Sequence, residues 1–158
     1  MADRNHSNLE REAWLKKLRD LAVHCPANEP HSAANRIREL NYLIGAAPEP
    51  ALLEGLRAIA PYRLEALIDA GACDAAALKL FGEGSSYLLS RSGDDLVMAT
   101  VALLGTMQEK SAQGATPALA LVGAIARSLA NAAAAARMRS RLPATPKTPH
   151  LVAVPALH

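Results

Sequence analysis

The sequence is short of aromatic residues, of cysteine and, beyond Glu109, of acid altogether. Only Trp14, Tyr42, Tyr62, Phe81 and Tyr87 are aromatic, and most of the 51% apolar content is Ala and Leu. That balance excludes an extensive sheet and favours helices around one small one. Cys25 and Cys73 are too few for a disulfide scaffold, and the charged stretch from Met1 to Asp20 does not read as a secretory signal. The expected compartment is the cytoplasm. Long hydrophobic runs are missing too: the longest, Ala115 to Ala126, is interrupted by Pro117 and Gly123 and falls short of the roughly 18 residues of a membrane span. A soluble protein is expected.

With 158 residues the chain has the length of one domain, and folding would bury about 70% of its unfolded surface. The net charge of +2 conceals an asymmetry, because Lys110, Arg127, Arg137, Arg139, Arg141 and Lys147 all follow the last acid. A basic end of this kind attracts phosphate backbones or acidic protein surfaces, and it equally suits the C-terminal pole of a helix.

Ser7 and Glu10 have capping-box spacing, which predicts a first helix over Leu9 to Val23 with Leu15, Leu18 and Leu21 inside and Trp14 on its flank. Ala33, Ile37, Leu40 and Ile44 share a face of a second helix from Ser32 to Ile44, with Gly45 placed to take the left-handed terminal position. Leu52 to Ile59 predicts a third, Leu64 to Ile68 a fourth ending at Gly71, and Asp74 a cap for one further turn through Leu80. After Gly84 the period changes. A strand around Ser86 to Ser90, a turn at Ser92 to Asp95 and a strand from Leu96 to Leu103 form a hairpin; Gly105 permits a second reversal into an edge strand over Thr106 to Ala112. Thr116 and Pro117 then open a long helix as N-cap and first residue. Leu119, Val122, Ile125, Ala126, Leu129 and Ala133 lie on one side of it and Arg127 on the other, so it is expected to cover one face of the sheet. The fold class is therefore α+β: N-terminal helices, a three-stranded antiparallel sheet and a long C-terminal helix over it. The expected organisation is a helical region over 1–60, a β-β-β-α unit with its preceding helices over 61–141, and a proline-rich tail without regular structure over 142–158.

The run from Ala66 to Gly71, the strands beginning near Tyr87, and Gly114-Ala115-Thr116-Pro117-Ala118-Leu119-Ala120-Leu121 together resemble small uncharacterised proteins of phages and prophages with an α/β sandwich. The resemblance covers about residues 62–134 and implies a fold and a genomic setting more than an activity. The order helix, three strands, helix also looks like a double-stranded-RNA-binding domain. Such domains place lysines at the start of the last helix, whereas Thr116 to Ala126 holds no cation.

The constellations that carry chemistry are weak. His24, Cys25 and His31 have the right residue types for zinc or for an activated thiol, but they lack a fourth ligand and regular spacing. Gly82-Glu83-Gly84-Ser85-Ser86 lacks the Lys-Ser/Thr ending of a phosphate loop and precedes a strand, so it reads as a connection. Asp94 and Asp95 beside Gly93 read as turn residues. The basic faces at Arg11, Lys16, Lys17 and Arg19 and at Arg36 and Arg38 are diluted by Glu12, Asp20 and Glu39, and the intervening loop is too long for a helix-turn-helix. No catalytic residue, metal ligand or cofactor is assigned. The expected function is that of a phage-associated accessory protein binding a macromolecular partner, in the first place a protein, through Arg137, Arg139 and Arg141. Nucleic-acid binding by the basic helices and a small enzyme with a cysteine/histidine site are the alternatives, and self-association through a strand edge or the alanine-rich helix stays open.

Overall fold

Alanine and leucine build what their propensities favour, five α-helices and one small sheet among the described residues, in an α+β arrangement. The computed structural model describes residues 2–27, 29–91, 93, 95–104, 106 and 108–141, with side chains from residue 10 onward except that of residue 27. The tail over 142–158, and Ser92, Asp94 and Gly105 of the expected turns, lie outside the described residues.

Helix α1 spans Ala2–His24 and α2 spans Ala33–Gly45. Because α1 starts at Ala2, Ser7 lies inside the helix and not at its cap; nothing between Ala2 and Glu10 breaks helical propagation, so the capping-box spacing marks no boundary. Trp14 is buried, not flanking, and its indole Nε1 donates to the Leu43 carbonyl at 2.8 Å, tying α1 to α2. Gly45 stays helical, and α2 ends at Ala46 with φ −101°.

The predicted helix over Leu52 to Ile59 does not form. Only the 3-10 turn Pro50–Leu53 is helical. Gly55 adopts φ +84°, Leu56 bridges to Phe81, and the Arg57 amide donates to the Leu80 carbonyl at 2.9 Å, so tertiary pairing overrides the leucine spacing. Helix α3 then runs Pro61–Asp69, with Pro61 as its first residue, and stops at Gly71 with φ +70° as its spacing predicts.

Helix α4 spans Cys73–Leu78, and Asp74 does not cap it. Its Oδ1 instead accepts the Ala118 amide at 2.9 Å, at the start of α5 (Pro117–Arg141). Thr116 Oγ1 accepts the Leu119 amide at 3.2 Å, so two side chains 42 positions apart share the free donors of one helix N-terminus.

Strands β1 (Ser86–Arg91), β2 (Val97–Ala102) and β3 (Lys110–Gly114) form an antiparallel sheet in that order. Tyr87 stands opposite Val101, Leu89 opposite Ala99, and Ala99 opposite Ala112, which puts Val97, Ala99, Val101 and Ala112 on the inner face. The third strand begins four residues later than Thr106, because the Thr106 amide and hydroxyl both donate to the Leu103 carbonyl and hold a turn there.

Helix α5 lies over β2 and β3 on one side and against α1, α2 and α4 on the other, with the 3-10 turn Cys25–Ala27 packed against both α5 and β3. It is thus a central helix and not a one-sided cover: every residue from Ala118 to Ala126 is buried, with Ser128 and Leu129 beyond. Its Ala and Gly positions let two layers approach it at once. A Cβ at Gly123 would lie 3.0 Å from the Ala112 Cβ and 3.3 Å from the Cys25 Cβ. By length and composition α5 is apolar enough to cross a membrane, and 67% of its most apolar window is buried inside the protein. Buried residues on both sides of position 60, from Trp14 to Ala133, belong to one cluster.

Two substitutions check this arrangement by denaturant unfolding. Asp74→Ala should cost roughly 1–2 kcal/mol, with Asp74→Asn recovering most of it as an uncharged cap; an unchanged midpoint would remove the cross-chain cap. Gly123→Val should destabilise by about 1–3 kcal/mol through overpacking.

Candidate binding surfaces

The cations of the N-terminal helices are largely spent within the fold. Arg11 pairs with Glu49, Lys16 with Asp20 at 3.2 Å, Arg36 with Glu39 at 2.9 Å, and Arg38 makes bonds of 2.8 and 2.6 Å to the two carboxylate oxygens of Glu65. The bidentate pair holds Glu65 below the ordinary carboxylate range and raises Arg38. Lys17 sits over the Tyr42 ring, 5.8 Å from its centroid. Interleaved ion pairs of this kind make a solvated, nearly neutral face.

The three arginines at the end of α5 divide. Arg137 pairs with Glu12 and so fastens α5 to α1. Arg139 and Arg141 are exposed, and no ion pair among the described residues engages either of them. They lie in the last turn, where cations complement the helix dipole.

Two further concave regions collect cations that the sequence scatters. The larger, of about 620 Å³, lies between α3 and the stretch from Arg57 to Ala60, and Arg57, Arg63 and Lys79 line it with no carboxylate. Ile59 and Leu67 supply apolar surface there. Asn41 shapes its wall, because Oδ1 accepts the Ile59 amide at 2.7 Å and Nδ2 donates to the Ile59 carbonyl at 2.9 Å. This buried side-chain amide acts as a one-residue strand partner, a role its sequence position does not reveal. The second region, of about 440 Å³, holds Arg19, Lys110 and Arg127, but Arg127 already donates to the Ser111 carbonyl at 2.8 Å.

The residues considered for catalysis are dispersed. Cys25 is fully buried, and burial pushes its thiol up to about 12 despite the nearby Arg36 charge. His24 turns Nδ1 to the Asp20 carbonyl at 2.6 Å, and His31 lies 3.2 Å from Glu29. Among the described residues no group of three or more His, Cys, Asp or Glu side chains could hold a metal ion. The Gly82 to Ser86 segment is a connection: the Gly82 amide donates to the Gly55 carbonyl at 2.8 Å, and Ser85 Oγ donates to the same carbonyl at 2.8 Å. Asp95, at φ 58°, takes the left-handed backbone that aspartate tolerates in turns.

The Cys25 environment sets an alkaline limit on stability. A thiol whose value is raised from the ordinary 9.0 to about 12 in the fold contributes stability that is complete below about pH 9 and is lost as the pH climbs towards 12. Chemical unfolding between pH 7 and 10.5 should show that loss above about pH 9, and Cys25→Ala should remove this component. Labelling of Cys25 by a thiol reagent at pH 7, faster than global unfolding, would contradict the buried placement.

Compared with protein-family models, with curated proteins and with solved structures, the chain has no significant match.

Proposed function

We propose that this chain is a non-catalytic accessory protein, in the phage or prophage setting that its sequence resemblance implies, and that it acts in the cytoplasm by binding a protein partner. One observation carries the reading: Arg139 and Arg141 stand exposed and enter no ion pair among the described residues, while Arg11, Lys16, Arg36, Arg38 and Arg137 are each paired with a carboxylate. Five cations are thus neutralised by carboxylates among the described residues, and the two exposed arginines in the last turn of α5 have charge available for an acidic surface. Arg137 serves that surface indirectly, by holding the helix end against α1.

Nucleic acid is the second reading, because the same arginines would neutralise phosphates. The scattered cation placement favours a protein, since among the described residues no basic stripe with interleaved aromatic residues runs along either long helix.

The readings separate in a capture experiment from the native host with nuclease-treated controls. Under the first, the captured protein survives nuclease treatment, and Arg139→Glu with Arg141→Glu abolishes its capture. Under the second, capture is lost with nuclease and direct oligonucleotide affinity falls steeply with salt, with a slope near −0.7 to −0.9 per phosphate contacted. Partner capture that is indifferent to the double charge reversal would overturn the placement at the end of α5.

A further inference from the structure

We propose that the cleft between α3 and the Arg57 to Ala60 stretch docks an extended acidic segment of a protein. This rests on the reading above that the partner is a protein, and it assigns a second site, away from the end of α5.

Charge comes first. Arg57, Arg63 and Lys79 line one cavity of about 620 Å³, no carboxylate lines it, and none of the three enters an ion pair among the described residues. Of the acids of α3, Glu65 is occupied by Arg38 through its two oxygens. Arg63 donates Nε to the Tyr62 hydroxyl at 2.9 Å and lies 5.6 Å from that ring's centroid, which holds the guanidinium in place and leaves its terminal nitrogens for an anion. The first turn of α3 contains no acidic side chain, and its cap, Ala60, offers none, so the helix pole adds to the same positive field.

The main chain indicates the shape of the occupant. Asn41 takes both main-chain groups of Ile59, while no hydrogen bond among the described residues engages the amide or carbonyl of Ala58. Ala58, exposed in the cleft wall, is in position to pair with one residue of an incoming strand. Ile59 and Leu67 give an apolar floor for alternate side chains. Cations at the rim, a short strand edge and an apolar floor together fit a segment in which acidic and apolar residues alternate. A nucleic acid would leave the floor unused, and its backbone would find these cations in a short cleft, without a continuing basic track.

The test is a residue-resolved titration of the full chain, followed by amide chemical shifts, with the synthetic peptide acetyl-Glu-Leu-Glu-Leu-Glu-amide. The same peptide with Gln for Glu and an eight-residue oligothymidine are the comparisons. The acidic peptide should shift amides at 57–60, 62–67 and 79–81, and Arg57→Glu with Lys79→Glu should weaken it at least about tenfold. Both side chains are exposed, so the thermal midpoint of that variant should stay unchanged, while Arg139→Glu with Arg141→Glu should leave peptide binding in the cleft intact. No shift in the cleft, equal binding of the Gln peptide, or indifference to the Arg57/Lys79 reversal overturns the inference. Peptide shifts confined to the end of α5 overturn it while sparing the protein-partner reading, and oligothymidine displacing the acidic peptide overturns both.

Discussion

The burial of α5 from two sides is the constraint on which the rest of the structure depends. A helix that faces a sheet on one side and three helices on the other has no solvent face from Ala118 to Ala126, so its sequence there must be apolar all round and small where layers meet. Leu119, Leu121, Ile125 and Leu129 are fully buried, each worth about 1.5–3 kcal/mol. Gly123 admits Ala112 of β3 and Cys25 of the first connection together. On the sheet, Gly114 does the same for α5: a Cβ there would lie 2.6 Å from the Ala120 amide nitrogen. The N-terminus of so enclosed a helix needs protein partners for its donors, and Thr116 and Asp74 provide them.

Local signals were readable in the sequence where the physics is local. Thr116-Pro117 opens α5, Gly71 closes α3 and the change of period after Gly84 marks the sheet, because caps, proline and alternation act within a few residues. Tertiary contacts defeated the same logic elsewhere. Leucine spacing over Leu52 to Ile59 lost to the pairing of Leu56 with Phe81, and the acid expected to cap α4 serves α5, more than forty residues on. Helical periodicity identified the leucine side of α5 but not its second buried side, because alanine and glycine there carry little periodic signal and much packing.

The candidate surfaces divide along the same line. Arg139 and Arg141 are legible because they are neighbours in an acid-free stretch. Which cations remain available is not legible, since Arg11, Arg38 and Arg137 find carboxylates 38, 27 and 125 positions away. Arg57, Arg63 and Lys79 meet only because Arg57 pairs with Leu80 and α3 folds back beside it. Asn41, which fixes the wall between them, reads in the sequence as one more polar residue of an amphipathic helix. Its two bonds to Ile59 make the cleft a consequence of the same core that encloses α5.

Native-state hydrogen exchange on the full chain tests most directly whether α5 is the common core of both layers. If it is, amides from Leu121 to Leu129 exchange only through global unfolding, with the same free energy and denaturant dependence as the slowest amides of α1 and β2. Exchange of those α5 amides through a lower-energy opening, while α1 or the sheet stays protected, would contradict the account.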